Sequence, residues 1–218
     1  MNAWRLIESP PSDIFSQMNL DRELFEEAVR DPSLPPLLRI YRVCEPAVTV
    51  GCSYPKKRSL FLELKNLFFF WKKKRPLCIR PTGGGWVEHG NDLIYSVIAR
   101  RNSFPTFGRV RTSYLSFHEA VQEAFLGLKI KTHLFRCDEV DIKKAGRSRR
   151  IGDCFREPVA TDVGKGEQKV AGGAQWRRRE AFLHQGSIQI PPGVSFDDLK
   201  AVLIGSFERK FAVVWQKN

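Results

Sequence analysis

The sequence predicts an α+β (mixed α/β) fold, a mixed β-sheet flanked by helices, on three observations. Short β-rich runs recur along the chain, three or four segments carry apolar residues at helical spacing, and no internal repeat or low-complexity tract is present. The 218 residues, 42% of them hydrophobic, suffice for one large core. A single domain over 1–218 is therefore expected, without an accessory domain at the C-terminal end.

Leu20, Leu24, Phe25, Ala28 and Val29 form a helical stripe that the prolines between Pro32 and Pro36 terminate. Leu37–Val43 and Ala47–Val50 are β-rich and broken by Glu45-Pro46, which predicts two strands around a turn. Leu60, Phe61, Leu64, Leu67, Phe68 and Trp71 return to helical spacing and predict a buried helix face rather than a lipid-binding patch. Leu77–Ile79 and Leu93–Ala99 are buried-strand signals with glycine-rich sequence between them. Ser113–Leu126 predicts a helix ending near Gly127, its apolar face formed by Leu115, Phe117, Ala120, Val121, Ala124 and Phe125. Strands are expected at Ile130–Leu134, Val159–Val163, Lys169–Gly172 and Ser187–Ile190. The last helix spans Phe196–Phe207, with Ser195 as N-cap before Asp197 and Asp198. Arg136–Arg150 is polar and charged, the composition of a mobile loop.

Several classes are excluded. The longest apolar block, Leu67–Trp71, runs straight into Lys72–Arg75 and falls far short of the ~20 residues of a membrane helix. Met1–Arg5 leads into Glu8 and two prolines without the apolar core of a secretory signal, so a cytoplasmic protein is expected. Cys44, Cys52, Cys78, Cys137 and Cys154 make no CxxC pair, so neither a zinc site nor disulfides are expected, and no metal is assigned. Thirty-six Lys+Arg against 24 Asp+Glu leave a formal charge of +12. That field favours acidic partners: nucleic acid, anionic lipid or an acidic protein.

Two segments carry candidate chemistry. Arg80-Pro81-Thr82-Gly83-Gly84-Gly85-Trp86-Val87-Glu88-His89 lies between two expected strands. Its glycines permit close backbone approach and expose amide N–H groups able to hold an oxyanion, and Arg80 adds charge. It is neither a Walker A loop nor a dinucleotide fingerprint, and a plain hairpin connection has the same composition. The second segment runs from Asp153-Cys154-Phe155 through Gln168-Lys169-Val170-Ala171-Gly172-Gly173-Ala174-Gln175 to Leu183-His184-Gln185-Gly186-Ser187-Ile188. Basic neighbours raise the thiolate fraction of a thiol such as Cys154, whereas Cys78 in an apolar strand and Cys44 after Val43 read as packing residues.

Arg80-Pro81-Thr82-Gly83-Gly84, then Val87, His89 and Leu93 with Tyr95-Ser96-Val97, resemble the signature loop and following strand of the lipoate-protein ligase and octanoyltransferase superfamily. Lys169–Gln175 followed by His184–Ile188 resembles its second signature, in the same order and at similar spacing, and the Trp4–Gly51 region is similar to the family's opening. The resemblance implies a catalytic domain like that of biotin ligases. It also implies one of two chemistries: ATP-dependent ligation of lipoate or octanoate through an acyl-adenylate, or ATP-free transfer of octanoate from acyl carrier protein through a cysteine thioester. Cys154, about fifteen residues before Lys169, matches the acyl-accepting cysteine of one octanoyltransferase class, and the chain length agrees with that class.

On that resemblance Cys154 and Lys169 are the catalytic residues: the thiolate attacks the carrier thioester and the ammonium, with amides near Gly172, Gly173 and Ala174, stabilises the oxyanion. Arg80, Thr82, Gly83, Gly84, Gly85, His89, Tyr95, His184 and Gly186 complete the implied substrate-binding set, with Trp86, Val87, Tyr95 and Val97 as candidates for an apolar acyl slot. His89 and His184 read either as bases or as loop hydrogen-bonders. The transferase chemistry needs no cofactor, and the ligase alternative needs ATP and Mg with, in a chain this short, a separate accessory subunit. The implied partners are acyl carrier protein and the lipoyl domains of 2-oxoacid dehydrogenase complexes or the glycine cleavage H protein, acted on by a monomer without a membrane. Arg177–Arg179 and Lys143–Arg150 are the expected docking surface for these acidic proteins. Gly85 stands where such octanoyltransferases often have arginine, a ligase-like feature, and Trp86 is bulky where a small residue is usual. A basic nucleic-acid-binding domain, the reading from another class, lacks a helix-turn-helix, RNA-recognition or zinc-finger pattern.

Overall fold

The computed structural model describes residues 2–53, 75–136, 155 and 158–216. The helix expected at Leu60–Trp71, nearly all of the Arg136–Arg150 loop, Cys137 and Cys154 lie outside the described residues. Eleven strands and three helices occur among the described residues: β1 (Asn2–Glu8), α1 (Ile14–Arg30), β2 (Leu37–Tyr41), β3 (Ala47–Gly51), β4 (Leu77–Arg80), β5 (Trp86–His89), β6 (Asp92–Arg100), α2 (Val110–Gly127), β7 (His133–Leu134), β8 (Val163–Lys165), β9 (Gln168–Arg178), β10 (Ala181–Gln189), α3 (Phe196–Phe211) and β11 (Val213–Gln216). Eight strands form a mixed sheet in the order β11-β1-β2-β6-β10-β9-β8-β7, and β4-β3-β5 form a second sheet. The mixed-sheet α+β expectation therefore holds.

Helix α1 begins at Ile14, where the Asp13 carboxylate accepts the N–H groups of Phe15 at 2.9 Å and Ser16 at 3.0 Å. Its buried stripe, Ile14, Gln17, Met18, Asp21, Phe25 and Val29, is interrupted by polar Gln17 and Asp21, so apolar spacing alone places the start six residues late, at Leu20. Ser195 caps α3 by accepting the Asp198 N–H at 3.0 Å, as its sequence position predicts.

One face of the large sheet packs on α2 and α3 through a phenylalanine-rich core. There Trp4 stacks on Phe211 at 5.4 Å and Phe107 meets Phe182 edge-on at 5.3 Å, contacts worth ~0.5–1.5 kcal/mol each beyond their buried area. The other face packs on α1, through Phe25 against Leu37, Ile98 and Leu183, and through Ile14 and Met18 against Tyr41, Val43 and Ile94.

Several expected strands change. Residues 159–162 form a turn, with the Asp162 N–H on the Val159 carbonyl at 3.0 Å, and β8 starts only at Val163. The segment expected at Ile130–Leu134 pairs only at His133 and Leu134. β9 and β10 are longer than their apolar cores, because a tight hairpin at Arg179-Glu180 carries the pairing through Trp176, Arg177 and Arg178. β1 and β11 give weak signals because each buries little, chiefly Trp4 and Val213, and each is held by parallel pairing with the other.

Candidate active site

The central antiparallel strands place the sequence signatures side by side. Gly186 pairs with Tyr95 on β6 and with Gly173 on β9, Gln185 with Ser96 and Ala174, Ser187 with Ile94 and Gly172, and His184 with Val97 and Gln175. Side chains alternate between the two faces of a sheet. Tyr95, Val97 and His184 enter the helical core, while Ser96, Gln185 and Ser187 face α1 and the small sheet. The expected site residues thus fall on two faces.

On the core face, His184 is fully buried between Tyr114 and Phe117, with ring centroids at 5.2 and 4.7 Å. The Gln175 amide nitrogen approaches its Nδ1 at 3.3 Å, and Tyr95 Oη lies 3.2 Å from its Nε2. Burial, with His118 and Arg177 nearby, holds this imidazole well below its ordinary pKa, so it is neutral. Burial also raises the phenols of Tyr95 and Tyr114, the latter to about 12. A Cβ on Gly186 would lie 2.2 Å from the Tyr95 ring, so only glycine admits that ring; Gly173 faces His184 in the same way, 2.6 Å from Nε2.

On the opposite face, Lys169 is re-aimed by a bulge. Val163 pairs with Ala171 but Gly164 pairs with Lys169, which leaves Val170 as an additional residue on β9 and shifts the alternation by one. Lys169 accordingly lies over Gly172, where a Cβ would sit 2.4 Å from its Cε and 2.5 Å from its Nζ. Nζ is 2.7 Å from Asp162 Oδ2, with side-chain exposures of 6% and 1%, and the Phe155 ring centroid is 5.5 Å away. The Val159 N–H donates to the same carboxylate oxygen at 2.7 Å. Thr161 has φ 79°, an unusual conformation for a β-branched residue that costs of order 1–3 kcal/mol and fixes the direction of Asp162. Asp162 Oδ1 is buried and has no hydrogen-bond partner among the described residues.

The glycine loop closes against this face. Arg80 donates from Nη2 to the Gly83 carbonyl at 2.7 Å and from Nη1 to Thr49 Oγ1 at 3.2 Å, so its buried guanidinium braces the loop. The N–H groups of Gly51 and Cys52 donate to the carbonyls of Gly85 at 3.1 Å and Thr82 at 2.9 Å, and Gly84 takes φ 97°. The Thr82 hydroxyl donates to Gln185 Oε1 at 2.8 Å. His89 bridges Thr49 Oγ1 at 2.9 Å and Asp92 Oδ2 at 2.7 Å, and that oxygen accepts the Ser187 hydroxyl at 2.7 Å. Burial raises the Asp92 carboxyl, but His89, Ser187 and the Gly90 N–H outweigh it and hold the group below its ordinary value.

Lys169, Gly172, Thr82–Gly85 and His89 thus belong to the face shared by α1 and the small sheet, and Tyr95, His184, Gly173 and Gly186 to the core face. Ala174 pairs with Gln185 and follows Gly172 on the first of these faces by alternation. Trp86 and Val87 pair with Val50 and Thr49 in the small sheet, whereas Val97 is a fully buried member of the helical core. Cys44 and Cys52 are exposed, Cys78 is buried with its thiol raised by burial, and Cys154 lies outside the described residues. The sequence reading missed Asp162, Asp92, Thr49 and Asp21. The available signal is an acidic residue within or at the edge of an apolar run, as at Asp162 between Val159 and Val163 and at Asp92 just before Leu93.

Comparison with solved structures defines the class of fold. A lipoate-protein ligase A bound with ATP superposes with a TM-score of 0.71 at 21% identity, covering 100% of this chain and 88% of that one. A bi-partite lipoate protein ligase from Thermoplasma acidophilum, studied with its E2 lipoyl domain, gives 0.66 at 19% identity, covering 100% and 86%. The model of the lipoyl protein ligase A/B catalytic domain matches residues 13–212, and the chain belongs to that family. Curated relatives include the Octanoyltransferase LipM of Moorella thermoacetica, 30% identical over 92% of this chain and 69% of that one, and that of Oceanobacillus iheyensis, 28% identical over 88% and 65%. The chain spans about two thirds of the length of these relatives. No helix among the described residues is long and apolar enough to cross a membrane.

Proposed function

We propose that this chain transfers an octanoyl (or lipoyl) group from an acyl carrier protein, through a thioester on Cys154, to a lysine of a lipoyl domain. One observation carries the reading: the Lys169 ammonium is held in a buried ion pair over bare Gly172 and beside Phe155, the residue covalently following Cys154. The relatives named octanoyltransferase support it.

The Cys154 thiolate adds to the carbonyl carbon of the carrier thioester; the carbon–sulfur bond to the carrier then breaks and the carrier thiolate leaves. Negative charge develops on the carbonyl oxygen, and the Lys169 ammonium is the fixed donor for it. Pairing of β9 with β8 ends at Ala171, so alternate amides of Gly172–Ala174 have no strand partner there among the described residues and serve as further donors. One such donor is worth ~3 kcal/mol. In the second half-reaction the neutral amine of the acceptor lysine attacks the Cys154 thioester, an amide bond forms as the carbon–sulfur bond breaks, and the proton lost by the amine passes to the departing sulfur, regenerating the free Cys154 thiol. Arg80 and Thr82 act by bracing the loop, His89 by tying it to Asp92. The basic surface attracts the two acidic partners, and the protein acts in the cytoplasm as a monomer.

The test is reconstitution with octanoyl carrier protein and an unmodified lipoyl domain. Octanoyl-lysine is expected without ATP, and Lys169→Met should lower the rate by about 10²–10³. Product that requires ATP and free acid would instead establish a ligase. Gly85 favours that second reading, in which ATP and Mg would be required and the amides of the glycine loop would hold the carboxylate and phosphate.

A further inference from the structure

Thr82 is fully buried, so its hydroxyl can affect a substrate only through the loop it belongs to. The fixed point for that hydroxyl is Gln185 Oε1, at 2.8 Å. The orientation of the Gln185 amide is itself dictated. Asp21 is a carboxylate at the centre of four donors: Arg39 Nη1 at 2.7 Å, Tyr41 Oη at 2.7 Å, Ser96 Oγ at 2.6 Å and Gln185 Nε2 at 2.7 Å. A carboxylate only accepts, so Nε2 must point at Asp21 and Oε1 at Thr82. Asp21 is anchored in turn by Arg39, which is fully buried and also donates to the Gln17 carbonyl at 3.0 Å and to Ser9 Oγ at 2.8 Å. A rigid polar chain therefore runs from α1 and β2 through β10 to the glycine loop, and Gln17, Asp21, Arg39, Tyr41, Ser96, Gln185 and Thr82 are all buried. A buried network is rigid when fully satisfied and costly when broken.

We infer that Gln185, oriented by Asp21, is the positioning residue that sets the Thr82–Gly85 loop for the acyl donor. The inference rests on the acyl-transfer reading for its kinetic consequence, but not for its structural one. Gln185 lies two strand positions from Ser187, whose hydroxyl bonds to Asp92 and so to His89, and the two side chains share a face of β10. The two ends of the loop are thus tied to neighbouring points on one strand: Thr82 through Gln185, His89 through Asp92 and Ser187. The second link is separately braced, by Thr49 on His89 and by the Gly90 N–H on Asp92, whereas the Thr82 side chain has, among the described residues, the single bond to Gln185, which makes Gln185 the one whose loss frees the glycine segment. Arg80 and Gly51 hold the carbonyls of Gly83 and Gly85, so the loop should loosen rather than detach.

Gln185→Met preserves length while deleting both ends of the link. Hydrogen–deuterium exchange of the peptide bearing the Thr82–Gly85 amides should rise about tenfold, with α1, β6 and β10 unchanged. With octanoyl carrier protein as donor, KM should rise about tenfold and kcat stay within about threefold, the pattern of lost loop positioning rather than lost chemistry. Thr82→Val deletes the other partner without touching Asp21, so it answers the question even if Gln185→Met does not fold. The double variant should exchange no faster than either single one. Unchanged exchange at the loop in either foldable variant, additive effects in the double, or a uniform rise across the sheet overturns the inference. Absence of octanoyl transfer by the unaltered protein would remove the proposed function and leave the exchange result to decide the role of Gln185.

Discussion

Lys169 Nζ lies 2.7 Å from Asp162 Oδ2, with both side chains nearly excluded from solvent. The pair joins residues on either side of the β8–β9 hairpin and exists only because a bulge carries the lysine onto the face of Gly172. Removing one member of such a pair leaves the other charge buried alone, at a cost of ~3–5 kcal/mol. Asp162→Asn should lower stability by about that amount and Lys169→Met by a similar amount, while the double variant should recover part of the loss. Urea unfolding of the three variants measures this, and additive losses would show that the two groups do not interact.

Two glycines on neighbouring strands should respond differently to the same change. In Gly172→Ala the new methyl meets both the end of Lys169 and Asp162 Oδ1, so the buried ion pair must shift to admit it. Transfer activity should fall at least about tenfold through misplacement of the ammonium, with a loss of stability smaller than the ~3–5 kcal/mol of removing either partner outright. In Gly186→Ala the methyl meets the Tyr95 ring, wedged against Phe207 and unable to move. There, stability should fall by about 1–3 kcal/mol. Calorimetry and activity on the same two samples separate the outcomes.

The central strands, α2, α3 and the glycine-rich segments are legible in the sequence because each rests on local periodicity, a cap or a glycine cluster, whereas β1 and β11 bury too little to signal themselves. What the sequence does not show depends on partners far away along the chain. Asp21 is paired with Arg39, Ser96 and Gln185, and reads locally as a polar interruption of a helix. Asp162 reads as part of a strand because Val159 and Val163 flank it, and only the turn with its left-handed Thr161 reveals it as the partner of Lys169. Lys169 is legible by resemblance, but its face is not. A bulge of one residue reverses the alternation, and no local composition announces it.

Acid should destabilise the fold through its buried histidines. His118 and His184 are both held below their ordinary pKa by burial, so they are neutral when folded and take up protons on unfolding. The unfolded chain then binds more protons below its histidine pKa of about 6.5, and stability falls as pH drops through that value. Each group adds a slope of about 1.4 kcal/mol per pH unit until its own folded pKa is reached. Urea midpoints between about pH 7.5 and 5 should fall accordingly, and less in His118→Gln. A midpoint independent of pH over that range would contradict the neutral, buried assignment.

Arg39 should be among the costliest single residues to remove. Arg39→Met leaves the Asp21 carboxylate buried without its cation, and a loss of ~3–5 kcal/mol is expected, visible as a lowered denaturation midpoint. An unchanged midpoint would mean that Tyr41, Ser96 and Gln185 suffice to hold the charge.

The account stands most directly on the thiol that adjoins Phe155. Intact mass of the protein, recorded after incubation with octanoyl carrier protein in the absence of ATP, should show one octanoyl adduct that hydroxylamine removes and that Cys154→Ala abolishes. An adduct that persists in Cys154→Ala, or acyl transfer that proceeds at full rate without that thiol, would contradict it.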